Sequence, residues 1–510
     1  MPILLILFIT SSCLPLPWPD RPFGLTAGQS ATLTFVTMAI PILVSMRLSR
    51  WVVRTLRRDP DQRPRVVGRY AKVRRTMILV NLGAAILCVL GWGWGATVWE
   101  TFTTTRPSGQ VVLFPGAELL VPLPYFLTIF LNWLIYHGAE RALHQSSYAV
   151  RDGRKSPVFW SVFAFFGFHL RQFLLMIALP VGMCVVQQSL ARVAPEWSNS
   201  AWMQFGSVGF GIVLFMLLPL AVPPLLGLKP LPDGYIRQRL EATAKRSRIR
   251  FTDILVWHTQ GAMANAMVIG VVPWARYVIF TDRLLETMPY DELDAVFGHE
   301  AGHVRHRHIP YYAAFIVLSA SLGTAVFALL EQARTHAGWV IPSVWQQWLS
   351  VLPLVGMGAY LFVVFGLLSR RCERQADIYG CRAGSCANPN CYAHDETTVI
   401  VPNGQALCRT GINALIRALD RVADLHGLDS PGSGQRGKLL PRLWSWVRAW
   451  QHGPMSSRIE FLQRVIEDPT LGDRTDRRVG RFRILLAVVL VTSILALGTY
   501  IGWSELWKMM

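Results

Sequence analysis

Charged residues are scarce in this chain, and their shortage argues against a soluble protein. They make up 16% of the 510 residues, whereas a soluble protein of this length normally carries about 25%. Hydrophobic residues make up 52% and collect in blocks near the roughly 20 residues that cross a bilayer as a helix. We therefore expect a mainly α, polytopic membrane protein with about eight transmembrane helices. The predicted spans are Ala27–Met46, Met77–Trp99, Leu119–Ala139, Phe159–Val186, Phe205–Leu228, Tyr311–Leu330, Leu349–Leu368 and Ile484–Trp503.

Acidic residues are also few, with 31 Asp and Glu against 50 Lys and Arg, which gives a net charge of +19. Nucleic-acid binding is one interpretation of this charge. The basic residues, however, concentrate in alternate loops such as Arg47–Arg75, as they do on the cytoplasmic side of membrane proteins. The sequence therefore predicts contact with the lipid bilayer and no nucleic-acid partner. The same alternation puts Lys229–Pro310 and Ser369–Gly480 on the cytoplasmic side.

The cysteines do not resemble a disulfide framework. Three lie in apolar segments, and the other five fall on the predicted cytoplasmic side, where thiols stay reduced. The first group is Cys13, Cys88 and Cys184, and the second is Cys372, Cys381, Cys386, Cys391 and Cys408. No pair has the C-x-x-C spacing typical of zinc knuckles and ribbons. Free thiols are the favoured interpretation, and a second, structural metal at Cys381, Cys386, Cys391 and Cys408, with His394 nearby, is the lesser alternative.

Three residues within "AVFGHEAGHVRHRH" have the spacing H-E-x-x-H. On a helix, His299 and His303 project from the same face and can bind one zinc ion. Glu300 is offset around the helix, so it can accept a proton from a zinc-activated water as a general base. The alternative is a helix beside the membrane whose histidines are merely solvated.

A third ligand would separate these two interpretations. His306 shares the helix face, but one straight helix rarely wraps three ligands around an ion. Glu373 in "SRRCERQAD" is the better candidate, because the two-span hairpin before it returns the chain to the membrane face that it left. Asp377, four residues later, can orient a ligand imidazole. The alternative for this pair is a solvated turn that pairs with Arg370, Arg371 or Arg374.

The quoted motifs, with two spans between them, resemble the integral-membrane zinc metallopeptidase family that includes HtpX and the type 1 CAAX prenyl-protein endopeptidases. These proteins are gluzincins, with ligands from H-E-x-x-H and E-x-x-x-D. The similarity extends to the β-rich runs "DILVW", "NAMVIGVV" and "RYVIF", which predict a small β-sheet, and to "HGPMSSRIEFL". It covers roughly residues 230–465.

The resemblance implies a role for each matching residue. His299, His303 and Glu373 would bind Zn²⁺, Glu300 would be the catalytic base, and Asp377 would support a ligand. Asn265 and Ala266 would lie on the edge strand that binds extended substrate by main-chain pairing. His452 would stabilise the oxyanion with support from Arg458. Gly453 stands where the family usually has proline, which makes His452 and Arg458 less secure than the ligands.

The predicted organisation has three parts. Residues 1–228 form a transmembrane region of about five spans. Residues 229–480 form a zinc metallopeptidase domain on the cytoplasmic side, interrupted by a two-span hairpin at 311–368 and a Cys-containing insert at 381–408. Residues 481–510 form a C-terminal transmembrane helix.

The predicted function is a membrane-bound zinc metalloendopeptidase that hydrolyses proteins, chiefly membrane proteins. The resemblance to HtpX implies membrane-protein quality control in a bacterial inner membrane. One alternative is a CAAX-type protease acting on prenylated C-termini. Another is a non-catalytic zinc-binding scaffold or sensor, which the intact Glu300 argues against. The sequence does not indicate an oligomeric state.

Overall fold

The structure is a computed structural model that describes most of the chain. The described residues are 21–105, 111–114, 116–151, 160–193, 201–261, 263–340, 352–395, 398–401, 405–425, 450 and 452–502. The chain divides into two compact units, Met1–Phe215 with Ile341–Leu354, and Met216–Val340 with Val355–Met510.

In its described residues, the first unit is helical apart from one pair of short antiparallel strands. Its helices are α1 (Ala27–Arg58), α2 (Arg63–Ile86), α3 (Trp94–Phe102), α4 (Leu123–Arg151) and α5 (Val162–Val193), and its strands are β1 (Thr103–Thr105) and β2 (Val111–Leu113). Helix α1 begins at a capping box formed by Thr26 and Gln29. It packs on α4, where Ser45 and Tyr136 share a buried hydrogen bond of 2.7 Å. Such side-chain bonds join helices where no water is available.

Helix α6 (Ala201–Leu226) leads into the second unit, which contains a four-stranded mixed sheet. The strands are β3 (Lys229–Pro230), β4 (Asp253–Trp257), β5 (Ala266–Ile269) and β6 (Tyr277–Thr281). Their order is β3-β4-β6-β5, with β4 and β6 parallel and the other pairs antiparallel. The predicted small sheet is confirmed, and β5 is one of its edges.

Eight helices are described in the rest of the second unit. They are α7 (Tyr235–Arg246), α8 (Asp282–Thr287), α9 (Tyr290–Arg305), α10 (His308–His336), α11 (Leu352–Ala383), α12 (Arg409–Leu425), α13 (Met455–Glu467) and α14 (Thr470–Ile501). Helix α9 carries the H-E-x-x-H residues between two layers. Leu293 and Phe297 pack in the core beneath the sheet, whereas Ala295 packs with Leu415 of α12 and Ile378 of α11. This double burial fixes the helix in place.

Six described helices are long and apolar enough to cross a membrane, which indicates an integral membrane protein. They are Ala27–Arg58, Pro60–Gly91, Gly209–Leu226, His308–His336, Val355–Ala383 and Thr470–Tyr500. The predicted spans Leu119–Ala139 and Phe159–Val186 lie largely within α4 and α5, which begin at Leu123 and Val162. The hairpin helices extend beyond their predicted spans, so that "SRRCERQAD" continues α11 rather than forming a turn. The C-terminal helix likewise begins at Thr470, well before the predicted span.

Candidate metal centre

Two helices approach each other closely at the site because glycines line their contact. A Cβ atom on Gly298 of α9 would lie 2.4 Å from the Ala383 Cβ and 3.1 Å from the Gly380 Cα of α11. One turn later, a Cβ atom on Gly302 would lie 3.0 Å from the Ala376 Cα. Only glycine permits this separation, which puts the side chains that flank the contact within reach of one another.

The close approach brings His299, His303 and Glu373 together into a group that we call the His2Glu cluster. The two Nε2 atoms are 3.3 Å apart. Glu373 Oε2 lies 3.5 Å from His299 Nε2, and Glu373 Oε1 lies 3.6 Å from His303 Nε2. Tetrahedral zinc bonds of about 2.1 Å put neighbouring ligand atoms about 3.4 Å apart. The cluster therefore fits zinc, with a fourth position left for water.

The hydrogen bonds of Glu373 support the same fit. Its Oε2 atom is buried and accepts no hydrogen bond from the residues that the structure describes. A buried carboxylate oxygen without a donor is costly. A cation bound between the three side chains would satisfy it.

Asp377 and Arg458 hold the first imidazole. Asp377 Oδ1 lies 2.9 Å from Nδ1 of His299, so Nε2 faces Glu373. Arg458 donates hydrogen bonds to both oxygens of Asp377 and lies 3.4 Å from Glu373 Oε2. Burial alone would lower the pKa of His299, but the nearby Asp377 and Glu373 carboxylates outweigh that effect and raise the pKa to about 10. Zinc binding would therefore release a proton from His299.

A relay of two hydrogen-bonded residues orients the imidazole of His303. Gln375 Oε1 accepts a hydrogen bond from His308 Nε2, over 3.1 Å. His308 Nδ1 lies 3.0 Å from His303 Nδ1 and is left as the acceptor, so the His303 Nε2 lone pair is free for a metal. Burial lowers the pKa of His303 to about 4, which keeps this imidazole neutral as a ligand must be.

Glu300 joins the cluster to the sheet. Its Oε2 atom accepts a hydrogen bond of 3.1 Å from the backbone N–H of Val268 in β5. Burial raises the pKa of the Glu300 carboxyl above its ordinary value. A raised pKa suits a group that takes up a proton and later releases it near neutral pH.

His452 contacts the cluster from a loop before α13. Its Nδ1 donates a 2.9 Å hydrogen bond to Glu373 Oε1, and this carboxylate raises the pKa of His452. The side chain remains 66% exposed. Gly453, which departs from the family pattern, has φ +73°, a left-handed conformation that glycine adopts without strain.

Asn265 and Ala266 lie where β5 begins. The Asn265 carbonyl accepts a hydrogen bond of 3.0 Å from the Thr281 N–H, so this residue is paired with β6. Because pairing alternates along an antiparallel strand, Ala266 and Val268 direct their N–H and C=O groups to the open edge. The donation from Val268 to Glu300 agrees with this register.

A second group of metal-binding side chains lies after α11. It consists of Cys386, Cys391, His394 and Cys408, and we call it the Cys3His cluster. The predicted set is therefore wrong at Cys381, which lies on α11 and is buried in the core with Ile378 and Leu415. Cys88 and Cys372 and the cysteines of this region are all free thiols, whereas Cys13 lies outside the described residues.

Comparison with known proteins agrees with this geometry. Residues 230–464 match the family model for Peptidase family M48. This match makes the segment, which is just under half of the chain, similar to M48 peptidase domains. Its bounds enclose the His2Glu cluster, both supporting residues of α11 and α13, and the whole sheet apart from Lys229.

Individual relatives share modest identity with the chain. The "Protease HtpX homolog" of Aeropyrum pernix is 29% identical over 155 residues, covering 30% of this chain and 46% of that protein. The "CAAX prenyl protease 1 homolog" of Arabidopsis thaliana is 26% identical over 187 residues, covering 34% of this chain and 42% of that protein. The chain thus spans less than half the length of these two relatives. The crystal structure of S. mikatae Ste24p aligns with a TM-score of 0.49 and 16% identity, covering 87% of this chain and 99% of that one.

Sequence reasoning missed two features of the site. It did not find the relay from His303 through His308 to Gln375, although the histidine-rich "HVRHRH" was a signal. It also overlooked Gly298 and Gly302, whose small-x-x-x-small spacing indicates close helix packing. His306, the competing ligand candidate, lies outside the cluster and stacks on His308.

Proposed function

We propose that this protein is a membrane-bound, zinc-dependent endopeptidase. The observation that carries the proposal is the His2Glu cluster beside a carboxylate that is free to act as a base. His299, His303 and Glu373 would hold the ion, and Glu300 is a neighbouring acid outside this ligand group. A purely structural zinc site has no use for such a base, which argues against a scaffold or sensor.

The residues of this site have different roles in peptide hydrolysis. Zinc supplies Lewis acidity, which lowers the pKa of a water and polarises the scissile carbonyl. Glu300 accepts the proton of the attacking water and passes it to the leaving amine. The Val268 N–H bond holds the Glu300 carboxylate in place for this task. His452, beside Glu373, would supply positive charge where the oxyanion develops, and Arg458 would support the site through Asp377 and Glu373.

Substrate would bind as an additional strand. The open edge of β5 lies next to Glu300, which accepts the Val268 N–H, so a peptide paired with the other outward groups of this edge would pass the base. Main-chain pairing recognises an extended backbone and does not select a particular side chain. We infer that the substrates are membrane proteins or damaged proteins that present an extended segment near the bilayer, as in HtpX-like quality control.

We also propose that the site faces the cytoplasm of a bacterial cell. The basic loops on the site-bearing side support this orientation. CAAX-type processing is the second candidate, because the Arabidopsis thaliana and Saccharomyces cerevisiae relatives carry that name at 26% and 23% identity. In that case the membrane helices would accommodate the prenyl group.

The test uses the full chain purified in detergent and supplied with zinc. We expect cleavage of unfolded casein, loss of cleavage in Glu300→Gln with zinc retained, and normal cleavage in Glu286→Gln, an exposed control. Cleavage by Glu300→Gln at the wild-type rate would overturn the proposed role. Matched peptides with and without a C-terminal prenyl group separate the two candidate functions, since only a CAAX protease requires the lipid.

A further inference from the structure

The segment between α11 and α12 converges on a second metal-binding geometry. Its ligand atoms, three sulfurs and one imidazole nitrogen, all lie within 4.8 Å of one another. His394 Nε2 lies 3.5 Å from Cys391 Sγ and 3.4 Å from Cys408 Sγ. Tetrahedral zinc with bonds of about 2.3 Å to sulfur and about 2.1 Å to nitrogen separates such atoms by about 3.5 Å. We propose that the Cys3His cluster binds a structural Zn²⁺ ion.

The ligand set distinguishes this site from the catalytic one. Four protein ligands fill a tetrahedron and leave no position for water, which is the pattern of structural zinc. Soft thiolates select zinc over calcium, magnesium or manganese. Each cysteine gives up its proton when it binds, so the ion replaces three protons. The spacing is C-x4-C-x2-H followed by a distant cysteine, which explains why a search for C-x-x-C pairs misses it.

The backbone prepares Cys408 as a ligand. It immediately precedes α12, and the N–H of Gly411 donates to its Sγ over 3.3 Å. A helix N-terminus stabilises a thiolate. The N–H of Cys408 in turn donates to Ser385 Oγ over 3.0 Å. A Cβ atom on Gly411 would lie 2.4 Å from that oxygen, so this arrangement requires glycine.

The insert has little apolar packing of its own. Tyr392 and Val399 are 87% and 78% exposed, whereas Cys386 and Cys408 are 5% and 1% exposed. The side chains turned inward are therefore the metal-binding ones rather than the large apolar ones. A bound ion would supply the stabilisation that a hydrophobic core provides elsewhere, as in small metal-dependent folds.

The position of the Cys3His cluster in the fold indicates a structural role. It ties the end of α11, which carries Glu373 and Asp377, to the start of α12. Helix α12 packs through Leu415 on Ala295 of α9, the helix of the H-E-x-x-H residues. The ion would thus brace the frame of the His2Glu cluster without taking part in the chemistry.

The experiment measures zinc per chain in the full protein, purified in detergent under reducing conditions. We expect two ions in the wild type and one in each of Cys391→Ser and His394→Ala. The double variant His299→Ala/His303→Ala, which lacks the catalytic ligands, should retain one. Cys381→Ser is the matched control, since it removes a buried thiol outside the cluster, and it should retain two.

Cobalt substitution identifies the ligands directly and does not depend on activity. Only a thiolate-bound Co²⁺ gives sulfur-to-metal charge-transfer absorption. We expect this band in wild type and in the His299→Ala/His303→Ala variant, and its loss in Cys391→Ser. A wild type with one zinc and no thiolate band would overturn the proposal, even if the enzyme is active. So would a disulfide between cluster cysteines in protein prepared with reductant.

Discussion

Asp377 Oδ1 lies 2.9 Å from Nδ1 of His299, and Arg458 donates to the same carboxylate. The carboxylate is fully buried. It therefore fixes both the tautomer of the imidazole and the direction of its Nε2 lone pair. The arrangement joins α9, α11 and α13 at one point, so the zinc site depends on their mutual packing.

Asp377→Asn should weaken zinc binding at the His2Glu cluster by about 10–100-fold, because the charge that orients His299 is lost. It should also destabilise the protein, since Arg458 then remains buried without its partner. Competition with a chelator measures the affinity, and a thermal melt confirms that the tested protein is folded. Asp476→Asn breaks another Arg–Asp pair, that with Arg382, and should leave zinc binding unchanged.

The second ligand has a similar test. His308→Ala removes the acceptor for His303 Nδ1–H and should lower zinc affinity by about 10–100-fold. His306→Ala is the matched control, because His306 stacks on His308 but is not part of the relay. Equal zinc affinity in the two variants would show that the relay does not orient His303.

The contacts that orient the two histidine ligands show which parts of the site could be predicted from the sequence and which could not. The spacing of His299 and His303 follows from helix geometry alone, and the two-span hairpin suggested that Glu373 returns to the same place. The His308 relay could not be read from spacing, because the chain breaks at Arg307, which has φ +53°. This conformation separates α9 from α10, so the geometry of a single helix does not predict where His308 lies.

In the Cys-containing insert, the sequence pattern suggested a grouping of residues that the structure does not have. Regular five-residue spacing grouped Cys381 with Cys386 and Cys391. Cys381, however, belongs to the end of α11, where helical continuation buries it in the core. His394 is the fourth member of the Cys3His cluster because the insert folds back on itself. A loop that folds back in this way leaves no periodic pattern in the sequence.

Gly298→Ala should damage the zinc site by forcing apart the helices that hold it. The added Cβ atom would lie 2.4 Å from the Ala383 Cβ, and such overpacking typically costs about 1–3 kcal/mol. The melting temperature and the zinc content should both fall. Gly480→Ala in α14 is the control, since a Cβ atom there meets nothing within 4 Å, and it should stabilise by up to about 1 kcal/mol. Equal stability of the two variants would contradict the close contact.

Ala266→Pro tests substrate binding at the edge of the sheet. The Ala266 N–H points away from β6, so proline removes a donor from the open edge without breaking a bond of the sheet. Loss of one hydrogen bond to substrate costs about 1 kcal/mol, which predicts a KM about fivefold higher with zinc content unchanged. Ala266→Val keeps the N–H and is the control for bulk, because the Ala266 side chain packs in the core. It should preserve KM if main-chain pairing matters. If valine raises KM as much as proline, added bulk rather than loss of the N–H explains the effect, and strand addition at β5 is wrong.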